Sequence, residues 1–271
     1  MSAAAASAPA PLTLRALQVR AVHAPLKRPL QTSGGTVRVA PLALIDLLTE
    51  QGVTGRAYLF CYTPLALKPV VQLLQNLSEF LRGDAVAPLE LDLKLQRTFR
   101  LLGATGLTAI AMAGVDMAAW DAQARAAGLP LARLLGGALR KVPAYNSCGL
   151  GLMDDRGALA DEAQKLLSGG FHAIKLRLGY PTLAEDIAAV QAVRKRIGDG
   201  VKLMVDYNQA LSVDEALARG RALDGEDIYW LEEPIRHDDY AGLSKLAREL
   251  KVPIQIGENF SLPASMLVAL D

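Results

Sequence analysis

VKLMVDYN, residues 201–208, is the stretch that decides the fold, because a short apolar run ends there in polar residues. Four further runs of this kind flank it: VPAYNSCG (142–149), FHAIKLRLG (171–179), IYWLEEP (228–234) and VPIQIGEN (252–259). Helical patterns separate the runs, with starts near Arg156, Thr182, Val213, Asp239 and Leu262. Short strands that alternate with helices predict βαβ units and a parallel sheet, so about five units of an α/β barrel are expected.

The part that spans residues 14–137 has a different order, with strands first and helices after them. The runs at 15–25 and 41–64 alternate apolar and polar residues around turn signals, which predicts an antiparallel meander. Helical periodicity follows at 64–83 and 106–135. This part of the chain is therefore predicted to be an α+β domain.

Three aromatic residues, Tyr58, Phe60 and Tyr62, stand at alternate positions of one predicted strand. Side chains alternate across a strand, so these rings share one face. The pattern leaves two interpretations open: the face packs in the core, or it forms the wall of a pocket.

Three acids end the third, fourth and fifth runs, namely Asp206, Glu232 and Glu258, and they are 26 residues apart in each case. Equal spacing puts them at equivalent places in successive units, on the rim where barrels of this type carry their chemistry. Carboxylates that converge repel one another unless a cation neutralises them, and oxygen ligands favour Mg²⁺. We therefore predict a Mg²⁺ site. The alternative is that each acid is only a solvated rim residue.

The run FHAIKLRLG carries two cations on one face, because Lys175 and Arg177 are two positions apart. The opposite face, with Ile174, Leu176 and Leu178, is predicted to pack against helices. A lysine acts as a base when its pKa is lowered, whereas a guanidinium keeps its proton. A metal beside a lysine suggests removal of the proton α to a carboxylate, with the enolate stabilised by the metal. A structural ion pair between strands is the alternative.

The strings VDYNQ, WLEEP and GEN, together with AMAGVDMAAWDAQARAAGLPLARLLGG (111–137), resemble the mandelate racemase and muconate lactonizing enzyme family of the enolase superfamily. Within that family the likeness is greatest to the mandelate racemase group. The resemblance implies a capping domain followed by a TIM-type barrel, and a Mg²⁺-dependent 2-hydroxy acid racemase. It implies Asp206, Glu232 and Glu258 as metal ligands and Lys175 beside the substrate carboxylate. It also implies that Ser147 and Asn208 contact the substrate.

The resemblance further implies a mobile loop over the barrel mouth, which corresponds to about residues 31–39. Two adjacent glycines in this loop provide hinge freedom. Val37, Phe60 and Tyr62 are then expected against the side group of the substrate. The polar content of the loop makes a polyhydroxy acid a competitor to an aromatic hydroxy acid as substrate.

Two departures from the family pattern affect the expected activity. Arg177 stands where the racemase has the second lysine of a Lys-x-Lys pair, its base for one enantiomer, so an acid-sugar dehydratase of the same superfamily is the alternative function. The family barrel also continues with an Asp-His dyad and a Glu that have no counterpart here, and eight units need roughly 250 residues. A catalytically inactive fragment that at most binds metal is the second alternative. The predicted organisation is a disordered tail (1–12), a capping domain (13–140) and a partial barrel (141–271).

Composition narrows the class of partner. The 271 residues include 29 Lys and Arg against 28 Asp and Glu, a formal charge of +1, so no strong surface field favours nucleic acid or a membrane. The expected partner is a small carboxylic acid. The two cysteines have no metal-ligand spacing, which fits a cytoplasmic protein. A homo-oligomer is implied by the resemblance alone.

Overall fold

The computed structural model describes residues 11–270, which divide into two compact units. The first unit contains residues 11–25 and 39–141, and the second contains 26–38 and 142–270. Residues 1–10 of the predicted tail lie outside the described residues, whereas Leu12 is buried in the core of the first unit. Within residues 11–270, no helix has the length and apolar character that crossing a membrane requires.

A three-stranded sheet in the order β1–β2–β3 begins the chain, with β1 at Leu14–Thr32, β2 at Gly35–Thr49 and β3 at Thr54–Phe60. β2 and β3 run antiparallel, and Leu42 lies opposite Phe60. Four helices follow: α1 (Pro64–Leu81), α2 (Pro88–Thr98), α3 (Gly106–Ala126) and α4 (Leu131–Leu134). The predicted meander and the α+β order of this unit are therefore confirmed.

The aromatic face of β3 does not pack in the core, so the first of the two interpretations, core packing, was wrong. Tyr58 is 64% exposed, and Phe60 and Tyr62 are exposed as well. The opposite face, with Gly55 and Leu59, packs against α3. A Cβ at Gly55 would collide with the carbonyl oxygen of Ala118, so only the small-residue face permits this close approach. Close packing with the alanine-rich helix therefore decided which face of the strand is buried.

Helix α2 has no counterpart among the sequence predictions. Its sequence, PLELDLKLQRT, alternates leucine with polar residues, a pattern that obscures helical periodicity. In the helix, Leu91 and Leu95 are buried, and Leu89 and Leu93 are exposed. The buried pair is four residues apart, which is the spacing of one helix face.

The second unit is built from parallel strands and helices in alternation, with the strand order β4–β5–β6–β7. Its strands are β4 (Ala173–Arg177), β5 (Lys202–Asp206), β6 (Ile228–Glu232) and β7 (Ile254–Gln255). Its helices are α5 (Arg156–Leu167), α6 (Leu183–Ile197), α7 (Val213–Leu223), α8 (Tyr240–Glu249) and α9 (Pro263–Leu270). Every helix begins within one residue of the start predicted from the sequence. The predicted fold class, an α+β capping domain followed by an incomplete α/β barrel, is confirmed.

The first of the five predicted barrel strands, residues 142–149, is reduced to a single parallel bridge between Asn146 and Ile174. The backbone N–H of Asn146 donates to Ala173, and its carbonyl oxygen accepts from the N–H of Lys175. Pro143 has no N–H to donate, which shortens the ladder that this segment can form. The parallel sheet of the described residues therefore has four strands.

The predicted loop at residues 31–39 is mostly strand. β1 continues to Thr32 and β2 begins at Gly35, so only Ser33 and Gly34 form the turn between them. This hairpin tip belongs to the second unit, where the hydroxyl of Ser33 donates to the carbonyl oxygen of Tyr207 at 2.5 Å. The N–H of Leu152 also donates to the carbonyl oxygen of Gln31 at 2.9 Å. The tip is thus fixed to the loops that follow the barrel strands.

Candidate active site

The carboxyl ends of the parallel strands bring the predicted acids to one rim. Asp206 and Glu232 are the last residues of β5 and β6 and lie opposite each other in register. Glu258 lies three residues beyond the end of β7. Alternation along β5 sends Leu203 and Val205 into the helix-covered core, so Asp206 lies on the inner face.

Lys175 forms the centre of this group. It is 4% exposed, and its Nζ lies 2.9 Å from Oδ2 of Asp206 and 2.6 Å from Oε1 of Glu232. Burial alone lowers the pKa of Lys175, but the charge of Asp206 and the hydrogen bond to Glu232 outweigh that effect and raise it. In this arrangement the lysine is a protonated counter-ion of two carboxylates.

Arg177 lies on the same face, and its Nε is 3.6 Å from Oδ2 of Asp206. Its side chain is buried, yet Nε and Nη1 have no hydrogen-bond partner. The predicted face of β4 is therefore correct, since Ile174, Leu176 and Leu178 are fully buried in the core on the other side. The predicted ion pair between strands also exists, but it leaves guanidinium donors unused.

Glu258 experiences the charge of the other acids. Burial raises the pKa of its carboxyl, and the negative charges of Glu233 and Asp206 raise it further, while Lys175 opposes them. Glu258 itself is exposed, so it is a partly solvated carboxyl at the edge of this rim.

Trp230 supports Glu232 and was missed by the sequence analysis. Its Nε1 donates to Oε2 of Glu232 at 3.1 Å, and its ring meets Tyr145 edge to face at 5.5 Å. Because Trp230 precedes Glu232 by two positions, strand alternation could have placed it on the same face. Both carboxylate oxygens of Glu232 are therefore engaged, one by Lys175 and the other by Trp230.

A cavity of about 430 Å³ opens beside these groups. Five predicted site residues line it together: Ser147, Lys175, Arg177, Glu232 and Glu258. The sequence patterns did not single out three others that line it, namely Tyr145, Glu233 and Gln255. The cavity wall therefore combines cations, carboxylates and a hydroxyl, which suits a small polar acid.

Asn208 lies in the loop directly after β5. Its backbone N–H donates to Oδ1 of Asp206 at 2.8 Å, and its φ of 47° is in the left-handed region. Its side-chain Oδ1 is buried without a hydrogen-bond partner. An unpaired buried acceptor next to a carboxylate is available to a ligand.

The three residues predicted against the side group of the substrate are divided between the units. Val37 lies in β2, in the segment that belongs to the second unit. Phe60 and Tyr62 belong to the first unit, where their ring centroids are 5.0 Å apart. In the loop after β6, Nδ1 of His237 lies 3.0 Å from Oε1 of Gln209.

The donor set of the rim fits a hard cation in chemistry, although the ligands are not preassembled. Among residues 11–270, no group of three or more His, Cys, Asp or Glu side chains is already arranged to hold a metal ion. The ammonium of Lys175 instead bridges Asp206 and Glu232. The buried Oδ1 of Asn208, which has no hydrogen-bond partner, is a further oxygen donor beside Asp206.

Two family models together match most of the chain. The model for the mandelate racemase / muconate lactonizing enzyme N-terminal domain matches residues 15–136. The model described as enolase C-terminal domain-like matches residues 158–271.

Solved structures of similar proteins cover the chain almost completely. An enolase from the alphaproteobacterium BAL199 with bound magnesium is 44% identical, with a TM-score of 0.92 over 96% of this chain and 72% of that chain. An enolase from Bradyrhizobium complexed with magnesium and mandelic acid is 39% identical, with a TM-score of 0.90 over 97% and 72% of the two chains.

A curated relative, the L-talarate/galactarate dehydratase of Salmonella typhimurium, is 38% identical over 157 residues, which are 58% of this chain and 39% of that protein. The chain spans 39–43% of the length of the first curated relatives that it matches. Both family models and both solved structures agree on one assignment. The chain belongs to the mandelate racemase/muconate lactonizing enzyme family of the enolase superfamily.

Proposed function

We propose that this chain carries a Mg²⁺-dependent site that removes the proton α to the carboxylate of a small hydroxy acid. The observation that carries the proposal is the cluster of charges at one rim, where Lys175 bridges Asp206 and Glu232, and Glu258 lines the same cavity as Lys175, Arg177 and Glu232. The relatives described with magnesium support the choice of ion.

The proposed ligands are Asp206, Glu232 and Glu258, since their oxygens are the hard donors that Mg²⁺ prefers. A cation between Asp206 and Glu232 would compete with Lys175 for the same oxygens. Bound Mg²⁺ would supply Lewis-acid stabilisation of the charge that develops on the substrate carboxylate.

Lys175 and Arg177 are the proposed catalytic cations. Arg177 has buried donors without partners in the wall of the cavity, so it binds and orients a substrate oxygen. A guanidinium stays protonated, so this residue is not a base. Lys175 is proposed to contact the substrate carboxylate. Ser147 and Asn208 are proposed to bind other substrate oxygens.

A dehydratase is the second candidate, and the observation that favours it is Arg177. Racemisation by two bases needs a proton acceptor on each side of the α-carbon, and Arg177 does not supply one. The similar proteins include a dehydratase of acid sugars as well as an epimerase and a racemase, so Arg177 alone favours this candidate. Val37 stays a proposed contact of the substrate side group, and an aromatic or a polyhydroxy acid is the proposed substrate class.

The metal site is tested by calorimetry of Mg²⁺ binding to the full chain. We expect Glu232→Gln to weaken binding at least 10-fold, because a carboxylate ligand is lost. The control is Glu249→Gln, which removes an exposed carboxylate at the end of α8. This position precedes the amino end of β7, whereas the proposed site lies at the carboxyl ends of the strands. Equal affinities of the Glu232 variant and the unmodified protein would reject the ligand assignment.

The reaction is tested by NMR in deuterated water with mandelate and with galactarate. We expect exchange of the α-proton that depends on Mg²⁺. Appearance of the second enantiomer without a keto acid identifies a racemase, and formation of a keto acid identifies a dehydratase. Absence of exchange with every hydroxy acid, despite bound Mg²⁺, would contradict proton abstraction by this chain.

A further inference from the structure

Glu233 follows the proposed ligand Glu232 but has different partners. Its side chain is buried, with 1% of the residue exposed. Oε2 accepts a hydrogen bond from Nε2 of Gln209 at 3.0 Å, and Oε1 accepts one from Nδ2 of Asn259 at 2.8 Å. Oε1 of Gln209 in turn accepts from the backbone N–H of His237 at 3.1 Å. We call these four residues the Glu233 network.

The Glu233 network joins the three loops that carry the proposed ligands. Gln209 comes three residues after Asp206, Glu233 directly follows Glu232, and Asn259 directly follows Glu258. Backbone bonds reinforce the connection, since the N–H of Gln209 donates to the carbonyl oxygen of Glu233 at 2.8 Å. The buried carboxylate of Glu233 belongs to the loop after β6, and it accepts hydrogen bonds from the loops after β5 and β7.

Three residues in two of these loops have backbone conformations in the strained left-handed region. Gln209 and Glu233 have φ angles of 66° and 37°, and Asn208 between Asp206 and Gln209 has a φ of 47°. Non-glycine residues adopt this left-handed region only where surrounding interactions hold them there. The hydrogen bonds to the Glu233 carboxylate are interactions of this kind, and they act on the side chains of both neighbouring loops.

We propose that Glu233 is a positioning residue for the metal site, which sets the spacing of Asp206, Glu232 and Glu258 through Gln209 and Asn259. The inference rests on the proposed function, because it concerns the same site. Both oxygens of Glu233 are engaged by amide donors, so its role is to orient the loops and not to act as a ligand itself.

Three variants separate positioning from charge. Glu233→Gln removes one acceptor and one negative charge. Gln209→Met removes the donor to Glu233 without any change in charge. The exchange variant Glu233→Gln/Gln209→Glu keeps the charge and restores the bonds: the amide at position 233 donates to the carboxylate at 209, which still accepts from His237. Glu249→Gln serves again as the remote control for a lost charge.

The readouts are Mg²⁺ affinity by calorimetry and the melting temperature without metal. We expect Glu233→Gln and Gln209→Met to weaken Mg²⁺ binding about 10-fold or more. Loss of a residue that orients metal ligands through hydrogen bonds typically has an effect of this size. The exchange variant is expected to recover affinity to within a few-fold of the unmodified protein. A lower melting temperature with unchanged Mg²⁺ affinity would mean a purely structural role and would overturn the proposal. A defect in Glu233→Gln that the exchange does not repair would overturn it as well.

Hydrogen–deuterium exchange without metal distinguishes failure of the proposed function from failure of this inference. If the unmodified protein binds no Mg²⁺, the proposed function fails. The inference about loop positioning is then judged by amide exchange in residues 207–211 and 257–260. Faster exchange there in Glu233→Gln, reversed by the exchange variant, supports positioning of these loops, and unchanged exchange rejects it.

Discussion

At the scale of one residue, Arg177 is a candidate site residue whose buried guanidinium leaves two hydrogen-bond donors without partners. Its guanidinium is buried beside Asp206 at 3.6 Å, and Nε and Nη1 lack partners. A buried donor without a partner destabilises a fold by about 1–3 kcal/mol. Such a group persists where a ligand completes its hydrogen bonds, which agrees with the proposed role in substrate binding.

We therefore expect Arg177→Met to separate stability from binding. The free energy of unfolding should stay within about 1 kcal/mol of the unmodified value or rise, because the unpaired donors disappear and Lys175 still faces Asp206. Binding of a carboxylate ligand should weaken about 10-fold, since a charge-assisted hydrogen bond is lost. Urea unfolding and ligand titration measure the two quantities. Arg177→Lys is the matched control, and a large loss of stability in Arg177→Met would contradict this account.

Single residues also show what sequence reasoning can reach. The inward face of Lys175 and Arg177 follows from alternation along the strand, and the structure places both there. The contact of Glu232 with Lys175 did not follow, because partners 57 residues apart in the chain meet only in the folded sheet. Glu233 was likewise overlooked, since its role depends on side chains from two other loops.

Elements of the second unit are joined by a second buried carboxylate, Asp186 of α6. Oδ1 of Asp186 accepts from the backbone N–H groups of Gly179 and Tyr180, both at 3.0 Å. Oδ2 accepts from the hydroxyl of Tyr207 at 2.9 Å and from Nη1 of Arg219. Burial and the neighbouring charge of Asp186 raise the pKa of Tyr207, so its hydroxyl stays a donor.

We expect Asp186→Asn to lower the free energy of unfolding by about 2–4 kcal/mol, because Arg219 loses its buried partner. The amide oxygen can still accept from Gly179 and Tyr180, so Asp186→Ala should cost more. Tyr207→Phe should cost less than either change, as it removes one hydroxyl. Urea unfolding followed by circular dichroism gives the order of the three variants. Unfolding of Asp186→Asn at the urea concentration of the unmodified protein would refute this assignment.

Helix α7 begins with a capping box in which Ser212 and Glu215 exchange hydrogen bonds. The backbone and side-chain hydrogen bonds from Ser212 lower the pKa of Glu215 below its usual 4.5. A carboxyl whose pKa is lower in the folded state stabilises above its unfolded pKa, and this stabilisation is lost as the pH falls through the folded pKa.

Glu215→Gln is therefore expected to destabilise the protein near neutral pH, and this difference should shrink as the pH falls through the folded-state pKa of the Glu215 carboxyl. Urea unfolding over this pH range measures the difference. Asp214→Asn, in the same first turn of α7, controls for general charge effects. A difference between Glu215→Gln and the unmodified protein that stays constant with pH would disprove the linkage.

At the scale of the whole molecule, α9 presents exposed apolar side chains. Four of its residues are exposed: Met266, Leu267, Val268 and Leu270. A cavity of about 440 Å³ between α8, β7 and α9 is lined largely by apolar side chains. Contiguous apolar surface of this kind favours association with another chain.

We expect the protein to self-associate through this surface as its concentration rises. Leu267→Lys, at a position 63% exposed, should shift sedimentation toward the monomer because it places a charge in the contact. Leu101→Lys changes a leucine that is 98% exposed in the first unit and should have no effect. Equal sedimentation of both variants and the unmodified protein would exclude α9 as the contact.

The amino-acid sequence by itself determined the order of the elements apart from α2, the inward face of β4 and the strand-end positions of Asp206 and Glu232. These features follow from local rules, because strand and helix periodicity depend only on neighbouring residues. Only the tertiary structure decided which face of β3 is buried, that residues 142–149 form a single bridge, and that the hairpin tip at Ser33 and Gly34 belongs to the second unit. Periodicity defines two faces but does not say which one a distant helix or loop covers. That choice depends on close approach and hydrogen bonding between segments far apart in the chain, as at Gly55.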